Sequence, residues 1–148
     1  MTTLNINLLR EVLAQIVEHP ETWDQKQWAK NTEPRFSCGT TMCVAGHIAV
    51  MTGHQLDWKQ WGPTNYEASW TTSGDYIATV ARKELGIDAF TADRLFLGTN
   101  TLEDLISMAK ELAEDAGEKL ELNKYMKAKK RYNLVSPAKV KAETLIES

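Results

Sequence analysis

The stretch FSCGTTMCVAGHIAVMTG, residues 36–53, contains both cysteines of the chain and one of its three histidines. Its second half is an apolar run that stops at Gly53, and glycine is a common residue just after a helix. We therefore predict a buried helix from Thr40 to Thr52, with the hydroxyl of Thr40 or Thr41 as its N-cap. Positions three and four apart share a helix face, and small residues occupy one such face: Gly39, Cys43, Gly46, Val50 and Gly53. This stripe predicts a close approach by another helix or by an aromatic loop.

The same stretch admits a metal or thiol site built from Cys38, Cys43 and His47. Cys43 and His47 lie four residues apart on the predicted helix, and Cys38 precedes it. With His54 or His19 as a fourth ligand the set would suit tetrahedral zinc, and a helix N-terminus lowers the pKa of a nearby thiol. The spacing matches no established zinc pattern, and four residues between the cysteines is looser than the redox motif Cys-x-x-Cys. We therefore favour a structural role, with buried Cys43 as a small apolar residue, and expect no cofactor.

The remaining chain predicts helices and no strand. A first helix with Asn5 or Asn7 as its cap stops at His19, because the residue before proline leaves the α region. Three later helices are predicted to start at the capping residues Asp75, Thr91 and Thr101. The helix that starts at Asp75 is predicted to end at Gly86. Helical patterns also cover residues 118–132 and 137–146. We predict an all-α, compact multi-helix single domain, with a core at residues 1–118 and a basic helical extension at 119–148 that packs on the core or on a partner.

Residues 54–74, here called the aromatic loop, read HQLDWKQWGPTNYEASWTTSG. Gly-Pro and Ser-Gly are turn signals, yet the segment carries four large rings, those of Trp58, Trp61, Tyr66 and Trp70. One interpretation is a lid whose rings fill the small-residue groove beside Gly46. The other is a binding surface, because exposed aromatic rings stack on nucleotides or form interface hot spots.

Charge is unevenly distributed along the chain, whose formal net charge is −3. Residues 1–118 contain nine basic and seventeen acidic residues, whereas residues 119–148 contain eight and three. The basic part includes NKYMKAKKRY, where Tyr125 is interleaved with Lys129, Lys130 and Arg131. Lysines on phosphates and a stacking tyrosine would suit nucleic acid. The acidic body and the lack of a helix-turn-helix pattern favour an amphipathic helix docked on protein instead.

Three motifs together resemble a family of small, largely uncharacterised bacterial and phage proteins. They are EHPETWDQKQW at 18–28, CGTTMCVAGHIAVMTG at 38–53 and LGIDAFTADRLF at 85–96. The family pattern is a Cys-Gly-Thr-x-x-Cys-x-Ala-Gly helix preceded by a tryptophan-bearing segment, and the match covers about residues 5–98. The resemblance implies a compact helical domain, no established activity, and a small accessory role that a phage origin would suit.

The sequence contains no nucleophile elbow, glycine-rich phosphate loop or His-Glu metalloprotease motif, so we predict no enzyme. The first residues, MTTLNINLLREVL, lack a basic leader, and no apolar run approaches the roughly 20 residues of a membrane span. We therefore expect a cytoplasmic location with reduced thiols and no membrane contact. The predicted function is that of a non-enzymatic accessory protein that binds another protein, with a homo-oligomer left open. The alternatives are a metal or thiol protein and a binder of a nucleotide-like anion held by Thr40, Thr41 and the amides after Cys38.

Overall fold

The described part of the protein is built mainly from helices around one buried core. The computed structural model describes residues 3–31 and 40–130. Six α-helices lie in these ranges: α1 Ile6–Glu18, α2 Val44–Met51, α3 Ile77–Leu85, α4 Ala89–Leu95, α5 Leu102–Asp115 and α6 Leu122–Lys130. A 3₁₀ turn, Pro20–Thr22, follows α1. The helix predicted at 137–146 lies outside the described residues, as do Cys38, Gly39 and Arg131.

A small antiparallel sheet accompanies the helices. Its strands are β1 Lys30–Asn31, β2 Thr40–Thr41, β3 Lys59–Gln60 and β4 Tyr66–Glu67, in the order β2-β1-β4-β3. The all-α prediction therefore needs correction: the fold is mostly helical but contains strands. Two residues are too few to show the alternation that identifies a strand in a sequence.

Helix α1 lies at the centre of the core. Asn5 caps it as predicted, since its side-chain oxygen accepts the amide of Leu8 at 3.2 Å. It ends before His19, as the following proline requires. Its apolar face is fully buried, and α2, α3, α5 and α6 all contact it. The fully buried side chains of this face include Leu9, Val12, Leu13, Ile16 and Val17.

Helix α2 is shorter than predicted. Thr40 and Thr41 form β2 instead of capping the helix, and Cys43 occupies the N-cap position without a side-chain cap bond. The small-residue stripe is also only partly buried, because Val50 is 43% exposed. At Gly46 the backbone of another segment approaches closely.

A Cβ atom at Gly46 would overlap the carbonyl oxygen of Trp28 and lie 2.8 Å from Cβ of Met42. Glycine is therefore required by contact, as the stripe predicted. The approaching element is the backbone around Trp28, however, and is neither a helix nor the aromatic loop. The nearest atoms at Gly46 belong to Trp28 and Met42, and the prediction that rings of the aromatic loop fill the rest of the groove stays a prediction.

Two of the predicted helix ends are confirmed. Thr101 caps α5 and exchanges hydrogen bonds with Asp104 in a capping box. Gly86 follows α3 with a φ of 74°, a left-handed conformation that favours glycine. A Cβ atom there would also overlap the carbonyl oxygen of Thr3, so Gly86 permits a close contact with the N-terminal segment.

Two predicted caps are wrong. Helix α3 starts one residue later than Asp75 implied, with Tyr76 at the N-cap and no side-chain cap bond. Helix α4 is capped by Asp88, whose carboxylate accepts the amide of Thr91 at 2.7 Å, so Thr91 lies inside the first turn. Among the described helices, none combines the length and apolar character needed to cross a membrane.

Candidate functional site

Cys43 is part of the core. Its side chain is 1% exposed, and its amide donates to the carbonyl of Gln27 at 2.6 Å. Burial raises the pKa of the thiol to about 11, because a thiolate would lose its hydration there. Thiol reactivity requires the thiolate and access to solvent. At neutral pH Cys43 has neither, so the structure favours the structural interpretation of this cysteine.

His47 is buried as well, and both of its ring nitrogens are engaged. Nδ1 lies 3.0 Å from the carbonyl oxygen of Cys43, and Nε2 lies 3.2 Å from the hydroxyl of Thr22. A carbonyl only accepts, so Nδ1 carries the proton of the neutral ring. Burial lowers the pKa of His47 and favours this neutral form. The neutral ring therefore donates from Nδ1 to the backbone at the start of α2, and its Nε2 lies beside Thr22 of the 3₁₀ turn.

The described residues do not assemble the proposed metal site. Within them, no group of three or more His, Cys, Asp or Glu side chains is placed to hold a metal ion. Cys38 lies outside these residues, and Cys43 and His47 are buried in contacts of their own. The two alternative fourth ligands lie beside other carboxylates: His54 Nε2 is 3.3 Å from Glu84, and His19 Nδ1 is 3.4 Å from Glu21. The geometry of the described part gives the metal alternative no support.

Gln25 caps α2 from a distance. Its side-chain oxygen accepts the amide of Val44 at 3.1 Å and the indole N–H of Trp23 at 3.0 Å. Its amide nitrogen donates to the carbonyl oxygens of Leu95 and Leu97 at 3.0 and 3.3 Å. The N-terminus of α2 is thus closed by a buried side chain. The amide of Val44, the first of α2, is bonded to Gln25 and cannot bind an anion. This geometry does not support the alternative of an anion bound at this helix N-terminus.

The aromatic loop is ordered by backbone hydrogen bonds. Trp61 N–H donates to the carbonyl of Asn65 at 2.8 Å and closes the β3–β4 turn, and Asp57 N–H donates to Trp70 at 2.8 Å. Farther along, Thr72 N–H donates to Gln55 at 2.9 Å. The loop therefore presents its side chains from a fixed backbone.

The four predicted rings of the aromatic loop separate into two groups. Trp58 and Tyr66 are half-buried, and Trp58 packs against the core. Trp61 is 72% exposed, and Trp70 stacks on the exposed ring of Tyr76 with centroids 3.7 Å apart and planes 25° from parallel. The exposed rings form the strongest candidate binding surface among the predicted residues. The sequence does not indicate Tyr76 as part of this surface, because Tyr76 falls in the first turn of a predicted helix.

The basic segment docks on the core at its start. Leu120, Leu122 and Met126 are buried, and Arg10 on α1 donates to the carbonyl of Leu120 at 3.0 Å. Burial raises the pKa of Tyr125, helped by the nearby charges of acidic residues on α1. Tyr125 is half-buried and packs against the core.

Lys129 and Lys130 fall in the last turn of α6, and Arg131 lies outside the described residues. The predicted docking of this segment on the core is thus seen for residues 120–126. Within the described part of this segment, Tyr125 is half-buried against the core, so this residue gives the nucleic-acid alternative no support.

Comparison with known protein families, with curated proteins and with solved structures finds no match to this chain. The resemblance based on the Cys-Gly-Thr helix therefore stays a prediction.

Proposed function

We propose that this protein is a non-enzymatic interaction protein that binds another protein through the exposed rings of the aromatic loop. The observation that carries the proposal is the exposure of Trp61 and of the stacked pair Trp70 and Tyr76 on an ordered backbone. Contiguous exposed apolar patches mark interaction sites, and tryptophan and tyrosine are enriched among the residues that dominate binding energy. An accessory role in a bacterium or phage remains the expectation from the sequence resemblance.

The physical basis is the area that such rings bury at an interface. A tryptophan or tyrosine removes roughly 150–250 Å² from water when it enters a partner's pocket, and a few such anchors dominate binding energies. The stack of Trp70 on Tyr76 restrains both rings before binding, which lowers the entropy cost of ordering them. An exposed ion pair between Lys59 and Asp57, at 3.2 Å, adds charge beside the rings, as in the polar rim of an interface.

A binding role is favoured over catalysis by the state of the reactive residues. Cys43 and His47, the residues with the most suitable chemistry, are buried and held in contacts with backbone and with Thr22. The two exposed indole rings, by contrast, supply contact area and no acid, base or nucleophile.

The test compares two variants of the full chain. The double variant Trp61→Ser and Trp70→Ser removes two anchors, and Phe90→Ser removes an equally exposed ring, 72%, from α4. Proteins retained by the immobilised wild-type chain from bacterial extract, with and without phage infection, are identified, and the purified partner is titrated by calorimetry. We expect the double variant to raise the Kd at least about 30-fold, or about 2 kcal/mol, and Phe90→Ser to leave it unchanged.

Two outcomes would contradict the proposal. A wild-type chain that retains no protein specifically has no partner of the proposed kind. A partner that binds the double variant as tightly as the wild type uses another surface.

A further inference from the structure

A second surface, separate from the aromatic loop, lies between α3 and α4. It is an open groove of about 460 Å³, here called the α3–α4 groove. Alanines of both helices, including Ala78 and Ala92, contribute small side chains to it, and Trp28, Phe96 and Leu97 contribute large ones. Trp28 is 38% and Leu97 53% exposed. An apolar groove bordered by partly exposed large side chains is typical of an interface.

Two opposite charges line the same groove. Arg82 projects from α3 and Asp93 from α4. Within residues 3–31 and 40–130, neither side chain forms an ion pair or a hydrogen bond. The charge of Arg82 makes a minor contribution to lowering the pKa of Asp88, after the hydrogen bonds from Thr91, but Arg82 and Asp88 are not an ion pair. The groove thus offers one cation and one anion to an occupant.

We propose that the occupant is a second copy of this chain, docked through the α3–α4 groove about a two-fold axis. Such an axis brings the same surface of both subunits together, so a residue that contacts a second residue of the partner is matched by the reciprocal contact. Arg82 then faces Asp93 of the partner subunit, and the symmetry creates the reciprocal pair. The apolar side chains meet at the centre between the two ion pairs.

Charge complementarity selects this occupant. Arg82 and Asp93 pair with no other described side chain and lie on the two helices that border an apolar groove, so this face is complementary to its own copy. An unrelated partner would have to supply both charges at matching positions beside an apolar strip. This surface is distinct from the aromatic loop, so the proposal goes beyond the proposed function and does not depend on it.

The test measures the mass of the full chain, 16.7 kDa, by sedimentation equilibrium over a range of concentrations. We expect the wild type to approach twice that mass. Arg82→Glu places two acidic pairs across the axis and Asp93→Arg two basic pairs, so each variant alone should self-associate at least tenfold more weakly.

An equimolar mixture of Arg82→Glu and Asp93→Arg provides the most specific test of the proposed ion pairs. The two carboxylates of the first variant then face the two guanidiniums of the second, and we expect the mixture to dimerise at least as well as the wild type. An interaction within one chain would not respond to mixing. Lys83→Glu is the matched control, since Lys83 is exposed on the same helix outside the groove and should leave the mass unchanged.

The melting temperature and far-ultraviolet circular dichroism of each variant show that it is folded before its mass is read. A wild type that stays at the mass of one chain at every concentration would overturn the proposal and assign the groove to another occupant. Dimers of the single variants as strong as the wild type, or a mixture of folded variants that stays monomeric, would overturn it too. Trp61→Ser should leave the dimer intact, which separates this result from a failure of the proposed function.

Discussion

The cysteine-bearing helix α2 and the aromatic loop that follows it lie next to each other in the sequence and differ in what they leave exposed. In α2 the thiol, the imidazole and the first amide are all buried and bonded within the protein. In the aromatic loop the backbone is bonded and two tryptophan rings remain in solvent. Helix α2 contains the reactive residue types, cysteine and histidine, but holds them in buried contacts. The aromatic loop has an irregular backbone and carries the candidate binding surface.

The largest expected difference in stability between variants of the two regions comes from the closest contact of α2, at Gly46. Gly46→Ala places a Cβ atom against the carbonyl oxygen of Trp28, which is backbone and yields little. We expect a loss of about 4 kcal/mol in the free energy of unfolding, measured by urea denaturation. Gly62→Ala in the aromatic loop is the control, because its Cβ would meet nothing closer than 3.8 Å. Equal losses for the two variants would show that Gly46 is not tightly packed.

A smaller loss is expected when the distant cap of α2 is removed. Gln25→Met keeps the volume but deletes four hydrogen bonds and leaves buried partners such as Val44 N–H unsatisfied. We expect the free energy of unfolding to fall by about 3 kcal/mol. Gln60→Ala, which removes one exposed bond to Gly62 at the aromatic loop, should cost less than about 0.5 kcal/mol. A loss below 1 kcal/mol for Gln25→Met would mean that water replaces the cap.

Raising the pH titrates the buried thiol. The folded pKa of Cys43 is about 11 against 9.0 for a free thiol, so the unfolded chain loses this proton first as the pH rises. Stability from the neutral thiol is complete below pH 9 and decreases between pH 9 and 11, by about 2–3 kcal/mol. Urea denaturation should show a larger loss over this pH range in the wild type than in Cys43→Ala, because the raised pKa of Tyr125 lowers the stability of both chains equally.

Trp61→Ser, a change in the aromatic loop, should retain the full pH dependence of the wild type. If Cys43→Ala retains it as well, other groups cause the loss and the thiol is solvated. Helix α2 and the aromatic loop would then differ less in solvent access than the burial of Cys43 implies.

Much of the helical framework follows from local signals. The cap at Asn5, the break before Pro20, the capping box of Thr101 and the left-handed Gly86 each depend on residues within one or two turns. Such interactions involve residues that are close in the sequence and can therefore be predicted from it. The buried face of helix α1 can also be predicted, from the spacing of its apolar residues. This is why the mostly helical fold could be predicted.

The features that were missed depend on residues far apart in the chain. Gln25 reaches a carbonyl 70 residues away, and β1 pairs with β2 and β4 through two residues each. Whether Trp58 turns inward and Trp61 outward likewise depends on the core beneath them. The candidate site was therefore predictable as a set of rings, while the choice among them and the α3–α4 groove required the folded arrangement.

The cap provided by Gln25 has a consequence for the order of folding events. Helix α2 spans only eight residues, too few to be stable alone in water. Its first amide is satisfied by a side chain that is itself held by the end of α4. Helix α2 therefore gains its full stability only after the chain has closed the loop of 70 residues between Gln25 and Leu95. We expect α2 and α4 to open as one cooperative unit, so that hydrogen exchange of their amides reports the same opening free energy.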